Sequence, residues 1–243
     1  PPEHEESYTV SLQEIEARIK AAWEMFGITQ VLIQGGHNPN LGIEYYEDAF
    51  KLIRKKFPKV GVHGLSVSEI DMIARVEKSS TKEVLSRLKE AGLQSVPGAG
   101  AEILVDSVKD VISPKKITSD QWLRIMEEAH SIGLPASATM MYGHVESNRD
   151  IAEHFVKIAK LQEKTEGFMA FIPWSFEPNN TLMQQENTVT YSAGGSQLLK
   201  MIAISRMMYD GLIPHIQSSW LTNGIGMAQM ALQYGADDFG GTL

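Results

Sequence analysis

The sequence predicts an α/β fold, a parallel (β/α)8 barrel of the TIM type, and three observations carry that reading. Seven short apolar runs alternate with segments of helical period, the signature of repeated strand–helix units. Nearly every run empties into glycine-rich or polar residues, as barrel strands do at the carboxyl face where the site gathers. The third observation is Gln34-Gly35-Gly36 directly after Val31, Leu32 and Ile33, a run that reads as a fully buried strand ending in a free backbone. A doubly wound open sheet is the alternative, but it concentrates its ligand residues at one switch point. An eighth strand before Pro1 would close the barrel. The expectation is therefore a single barrel domain over residues 1–243, lacking the first strand and the last helix and truncated at both ends.

Taken in order, residues 1–7 read as a loop entering a helix, which Ser11 caps with Glu14 at the capping-box position and Gly27 ends. Residues 31–33 form the first strand. Tyr46, Phe50, Ile53 and Phe57 recur at helical spacing over 43–57, and Pro58 stops that helix. A strand over 60–65 is followed by a helix that Ser66 or Ser68 caps, then by a helix over 81–91 and a brief strand over 93–96. Residues 103–108 and a loop with Pro114, Lys115 and Lys116 lead to a helix over 119–132. A strand over 135–142, a helix over 148–164 and a strand over 168–172 come next. The polar stretch 175–195 reads as an excursion over the barrel mouth. A Met-rich helix (196–209), a strand (215–219), a helix (222–234) and a last strand (236–239) complete the pattern.

Composition narrows the function classes. A net charge of −8 argues against a nucleic-acid partner, which needs a basic face. No apolar run reaches the roughly 18 residues of a membrane span, and no apolar signal segment opens the chain, so a cytoplasmic protein without a membrane partner is expected. With 0 cysteines, disulfides and cysteine-ligated metals are excluded within these residues.

The strand ends gather Gln34 to His37, His63 to Ser66, Gly98 to Glu102, Tyr142 to Glu146, Pro173-Trp174 and Asp237-Asp238. Each has a bland reading. His63, between Val62 and Gly64, reads as a core histidine, and Met201, Met207 and Met208 as core filling. Glu102 could be a simple charge at a helix start, and Asp237-Asp238 a helix cap. His144 and Glu146, two apart on a loop, make a weak metal signal, and no metal site is expected. No Ser-His-Asp or Walker pattern is present.

Several of these strand ends carry longer motifs. They are Gln34-Gly35-Gly36-His37-Asn38-Pro39, Pro97-Gly98-Ala99-Gly100-Ala101-Glu102, Ala138-Thr139-Met140-Met141-Tyr142-Gly143-His144-Val145-Glu146, Phe171-Ile172-Pro173-Trp174-Ser175-Phe176 with Asn180-Thr181, and Asp238-Phe239-Gly240-Gly241-Thr242. Over essentially its whole length the chain resembles the radical S-adenosylmethionine enzymes of the futalosine route to menaquinone. The resemblance implies S-adenosylmethionine and a 4Fe–4S cluster held by a CxxxCxxC segment, expected upstream of Pro1. It implies that Gln34, Gly35 and Gly36 receive the amino group of the cofactor, and that Gly98, Gly100 and Glu102 hold its ribose. Met141, Gly143, Glu146, Ile172 and Pro173 would serve the adenine end. His37, Asn38, Ser66, Tyr142, Trp174, Asn180 and Thr181 are the implied contacts of a nucleoside substrate, and an external reductant would supply one electron.

The implied reaction takes hydrogen from the 4′ ribose carbon of dehypoxanthine futalosine and closes that carbon onto the benzoate ring. A base for the last proton would be Glu102, His144 or Asp238. Two other readings stay open: the aminofutalosine-forming sister step or a related enzyme, and a barrel that holds a nucleoside without turning it over.

Overall fold

A computed structural model describes residues 7–189 and 192–241. The expected opening loop over 1–6, residues 190–191 of the excursion and Thr242 lie outside the described residues. The chain forms two compact units, one of residues up to 97 with 128–135, the other of residues 98–127 and 136 onward.

In the first unit, Ser11 caps α1 (Leu12–Phe26), its Oγ accepting the Glu14 N–H, and Gly27 closes the helix at φ +63°. Strand β1 (Gln30–Ile33) pairs in parallel with β2 (Gly61–Gly64), Val31 opposite Val62 and Ile33 opposite Gly64. Between them α2 (Ile43–Lys56) buries Ile43, Tyr46, Ala49, Phe50 and Ile53, one stripe at helical spacing. Next come α3 (Val67–Glu77), opened by a full capping box between Ser66 and Glu69, and α4 (Thr81–Ala91). The strand expected over 93–96 is reduced to two bridge residues, Ser95 paired with His63 and Val96, whose N–H reaches the Pro135 carbonyl at 3.0 Å.

The reading of 31–33 as a fully buried strand is corrected. Leu32 is 45% exposed, because among the described residues β1 has a partner on one edge only. An apolar run reports affinity for burial, not the number of neighbours a strand acquires.

The second unit opens with α5 (Asp106–Ile112), a helix the sequence does not predict, and holds α6 (Ser119–Ser131) as far as Glu127. Its sheet is parallel, in the order β3 (Ala136–Tyr142), β4 (Phe168–Ser175), β5 (His215–Ile216). The helix α7 (Asn148–Thr165) connects β3 to β4, while the short α8 (Leu182–Gln185) and α9 (Gly195–Tyr209) lie between β4 and β5. Phe171 packs its ring against Phe155 of α7 and Tyr209 of α9 at centroid distances of 5.4 and 4.9 Å, and Trp122 stacks on Phe168. The Gln162 side chain accepts the Phe168 N–H (2.7 Å) and donates to the carbonyls of Phe168 (3.1 Å) and Leu212 (2.8 Å).

Pro173 explains why β5 is short. The Phe171 carbonyl accepts the Gln217 N–H, so residue 171 faces β5, and the next residue of β4 facing that way is Pro173. Proline has no N–H to continue the ladder. The β3 side is untouched, because residues 172, 174 and 176 face it; the Phe176 N–H reaches the Tyr142 carbonyl at 2.7 Å.

Three further expectations change. The last strand survives only as a bridge from Gln217 to Asp238. The final helix, α10 (Trp220–Ala231), is broken at Gly224 (φ +77°) and runs out in a 3-10 turn, Leu232–Tyr234. The Met stripe is not core: Met201 is buried, but Met207 and Met208 are exposed, the stripe having turned off the buried face of α9.

His154 on α7 is fully buried, its Nδ1 accepting the Leu104 N–H at 3.0 Å. Burial, with Lys157 and Lys109 nearby, pushes its ring down to about 3 from an ordinary 6.5. The fold accepts only the neutral ring, so below pH 6.5 the unfolded chain binds the extra proton and stability falls as pH drops toward 3. His154→Asn keeps an acceptor for Leu104 and removes the titration. Urea midpoints measured from pH 7 to pH 4 should show the parent losing up to about 1.4 kcal/mol per pH unit more than this variant.

Candidate functional site

In the first unit, a cleft of about 580 Å³ is lined by Gln34 to Asn38 after β1 and by Tyr45, Leu65 and Glu69. The Gly35 N–H donates to Glu69 Oε1 at 2.9 Å. Glu69 Oε2 accepts both the Ser66 N–H and the Ser66 hydroxyl at 2.7 Å. Burial raises the Glu69 carboxyl, and the hydrogen bonds from Ser66 and Gly35 offset this only in part. Leu65, wholly buried, sits at φ +58°, a strained conformation for a leucine, and its N–H bonds the Ile33 carbonyl at 2.8 Å.

Among the described residues, nothing donates a hydrogen bond to the carbonyls of Gln34, Gly35 or Gly36. A methyl on Gly36 would meet nothing within 4 Å. His37 is exposed, while Asn38 turns its Oδ1 to the Asn40 N–H (3.0 Å) and its amide to Thr9 (3.4 Å).

Two expectations for this unit resolve into structure. The Ser66 hydroxyl, expected on substrate, is committed to the α3 capping box. His63 bonds Ser95 Oγ through Nδ1 at 2.7 Å, and burial pushes its ring down to about 4, the behaviour of a core histidine.

In the second unit, Gly98 to Glu102 forms a turn along β3. The Gly98 N–H donates to Ser137 Oγ (3.0 Å), and its carbonyl accepts the Thr139 hydroxyl (2.8 Å). A Cβ there would stand 2.6–2.9 Å from β3 backbone atoms, so only glycine fits. Gly98 is thus a packing glycine. Gly100 (φ +87°) offers its carbonyl to Lys109 Nζ at 3.1 Å. Lys109 is buried, which pulls its ammonium down to about 8. Glu102 lies at φ +49°, buried, with its carboxylate paired to Lys116 and its carbonyl accepting the Met141 N–H at 2.7 Å.

Parallel pairing sets Thr139 beside Ile172 and Met141 beside Trp174, so one face of β3 and β4 gathers three of the expected contacts, Met141, Ile172 and Trp174. Tyr142 and Pro173, a residue further along, point to the opposite face. Tyr142 is wholly buried, with no partner for its hydroxyl among the described residues and its pKa raised by burial, so the expectation that it touches substrate is corrected.

Gly143 (φ +87°) starts a closed loop. Glu146 accepts the N–H groups of Gly143 (2.6 Å) and His144 (2.8 Å). Burial alone would raise the Glu146 carboxyl, but hydrogen bonds from His144 and Gly143 hold it below the ordinary carboxylate range. The His144 ring is engaged on both sides, Nε2 with the Met141 carbonyl (3.1 Å) and Nδ1 with the Val145 N–H (2.8 Å) and Glu146 Oε2 (2.9 Å). A neutral ring uses Nδ1 for Val145; a protonated one turns it on Glu146.

Thr181 caps α8 and donates to the Pro178 carbonyl, so its hydroxyl too is committed, while Asn180 precedes it at φ +64°. Asp238 is half-buried, accepting from the Gly240 N–H (2.8 Å) and the Gln217 amide (3.2 Å).

Glu69, Lys109, Ser137 and Thr139 were missed from sequence. Only Glu69 carried a readable signal, the Ser-x-x-Glu spacing from Ser66. Among the described residues no group of three or more His, Asp or Glu side chains is placed to hold a metal ion, and no helix is long and apolar enough to cross a membrane.

Residues 2–158 match the family model of the Radical SAM superfamily, and residues 165–243 match the model of the CofH/MqnC C-terminal region. The cyclic dehypoxanthine futalosine synthase of Streptomyces coelicolor is 40% identical over 243 residues, covering 100% of this chain and 59% of that protein. The 5-amino-6-(D-ribitylamino)uracil–L-tyrosine 4-hydroxyphenyl transferase of Methanococcoides burtonii is 40% identical over 240 residues, 97% of this chain and 67% of its own length. The crystal structure of methylornithine synthase superposes with a TM-score of 0.68 at 14% identity, covering 95% of this chain and 62% of that one, a likeness of fold. The α/β barrel class read from the sequence is therefore the fold class of the chain.

Two glycines test the geometry. Gly98→Ala forces the turn off β3 and should lower stability by about 1–3 kcal/mol. Gly36→Ala meets open space and should leave it within about 1 kcal/mol. Urea denaturation of both variants checks the contrast.

Proposed function

This chain belongs to the radical SAM superfamily, and from that premise we propose that it is the catalytic barrel of a cyclase converting dehypoxanthine futalosine to its cyclic product in menaquinone biosynthesis. The observation that carries the reading is the 40% identity to a cyclic dehypoxanthine futalosine synthase over the whole chain. The transferase relative of equal identity makes tyrosine with a ribityl-uracil the competing substrate pair. On this reading the protein works in the cytoplasm on a free nucleoside, with an external one-electron donor and without nucleic acid or membrane.

Enzymes of this superfamily work with S-adenosylmethionine and a 4Fe–4S cluster. These residues contain no cysteine, so they do not supply the cluster's thiolates. They do suit S-adenosylmethionine: undonated carbonyls at a glycine turn, beside a cleft, form an acceptor set for an ammonium group. When bound, S-adenosylmethionine supplies the hydrogen-abstracting chemistry.

The chain's own residues divide the remaining work. The carbonyls of Gln34, Gly35 and Gly36 take the amino group. The turn through Gly98 and Gly100 carries Glu102 toward the ribose hydroxyls, which compete with Lys116 for its carboxylate. Met141 and Ile172, with the backbone at Pro173, form an apolar seat for adenine, and Glu146 shapes that seat by closing the loop from Gly143. Trp174, His37 and Asn180 are the substrate contacts that keep an available side chain, while Asn38 would have to release Thr9 and the Asn40 N–H to act as one. Of the three candidate bases, the His144 ring is occupied by its own loop and Glu102 is paired with Lys116. Asp238 is half-buried and, among the described residues, accepts only from neutral donors, the Gly240 N–H and the Gln217 amide, and is the base we favour for the final proton.

Full-length protein, anaerobically reconstituted and assayed with dehypoxanthine futalosine, should give the cyclic product, and with tyrosine plus the ribityl-uracil no coupled product. The reverse outcome would overturn the cyclase reading. Glu102→Ala removes hydrogen bonds to a charged partner, on the order of 1.5–3 kcal/mol, so titration should show S-adenosylmethionine binding roughly ten- to hundredfold weaker. Unchanged affinity with a lowered melting midpoint would end the ribose assignment.

A further inference from the structure

Glu69 is 1% exposed, yet it lines the cleft beside the glycine turn. Its two oxygens meet three donors, the Gly35 N–H on Oε1 and the Ser66 N–H and hydroxyl on Oε2. Two of those donors are backbone N–H groups that can only donate, one to each oxygen, and a carboxylate accepts from both. Charge-assisted bonds of this kind are about twice as strong as neutral ones. The left-handed Leu65 turns the chain so that Ser66 caps α3 and Glu69, one turn on, reaches back to residue 35.

The bond to Gly35 fixes more than one atom. In a trans peptide the carbonyl of one residue and the N–H of the next point in opposite directions. With the Gly35 N–H held on Glu69, the Gln34 carbonyl must point away from α3, and no described residue donates to it. We infer that Glu69 is a positioning residue: it orients the Gln34–Gly35 peptide so that the Gln34 carbonyl is presented to the ammonium group of the cofactor. This rests on the reading that the glycine turn receives that group. Glu69 itself does not touch the reacting atoms.

Substitution separates positioning from mere support of α3. In Glu69→Gln the single amide oxygen goes to the two Ser66 donors, and the NH2 is left facing the Gly35 N–H, so the peptide loses its anchor. Ser66→Ala removes the cap hydroxyl but leaves the Gly35 bond intact. The probes are S-adenosylhomocysteine and 5′-methylthioadenosine, which share the thioether and adenosine and differ in the amino-acid arm. Binding of both is measured by titration calorimetry on the anaerobically reconstituted holoenzyme.

The native protein should prefer S-adenosylhomocysteine, and Glu69→Gln should lose roughly tenfold of that preference, with 5′-methylthioadenosine affinity unchanged. Ser66→Ala should melt lower and keep the preference. If the native protein shows no preference, the glycine-turn reading fails and the inference falls with it. If the native protein prefers the longer ligand and Glu69→Gln keeps the full preference, the inference alone is overturned. Equal loss in Ser66→Ala would also overturn it, since support of α3 would then explain the effect. Glu69→Asp, a methylene too short to reach both Gly35 and Ser66, is judged by the same outcomes should Glu69→Gln fail to fold.

Discussion

The structure depends on one constraint: backbone N–H and C=O groups released where a parallel strand ends must find partners before the loop can be buried. In this chain side chains, several of them buried, meet that demand. Glu69 takes the amide after β1, Glu146 takes two amides after β3, and Asp237 takes the Ile216 N–H at 2.8 Å. Lys109 and Lys157 answer the carbonyls of Gly100 and Leu104, and His154 answers the Leu104 amide. Each of these groups is ionisable or polar, and most are buried enough that an unanswered partner would destabilise the fold.

That division of labour separates the residues that hold a site from those that face a ligand. Glu146 and Ser66 look like ligand contacts in sequence, because polar residues at strand ends usually are. Their polar atoms are already engaged by their own loops. What remains open is mostly backbone or apolar surface: the carbonyls of the glycine turn, and the face shared by Met141, Ile172 and Trp174. Surfaces of this kind tolerate side-chain change and depend on the conformation of a few peptides.

Much of the fold was legible because its signals are local. Ser11 as a cap, Gly27, and the stripe Tyr46, Phe50, Ile53 were legible from spacing alone, although the Glu14 side chain goes to Arg18 instead of closing a capping box. The strand positions were legible too, but not their extent: residues 93–96 and 236–239 keep only isolated bridges, since pairing depends on neighbours that a single run cannot specify. Tyr142 and Met141 are adjacent in sequence, and only the pairing register decides which faces the helices. Of the candidate site, the glycine turns were visible from composition, whereas Lys109 and Thr139 were not. Their roles arise from contacts to Gly100 and Gly98, and nothing in the spacing of a lysine or threonine announces such a contact. The futalosine-type motifs located the strand ends well and assigned individual side chains less well, because a motif fixes position and not hydrogen-bond partners.

Pro173 has a consequence beyond the length of β5. With the β4–β5 ladder halted there, β5 is tied to the sheet at Ala170 and Phe171, and its flanks hang on the Gln162 amide at Leu212 and the Asp237 carboxylate at Ile216. The longer β3–β4 ladder runs from Ala136 through Tyr142. Opening β5 together with α10 therefore breaks far fewer sheet hydrogen bonds than unfolding the β3–β4 pair. The chain has a built-in order of release, in which the amides of Ile216 and Gln217 exchange with solvent through a partial opening while those of β3 wait for global unfolding.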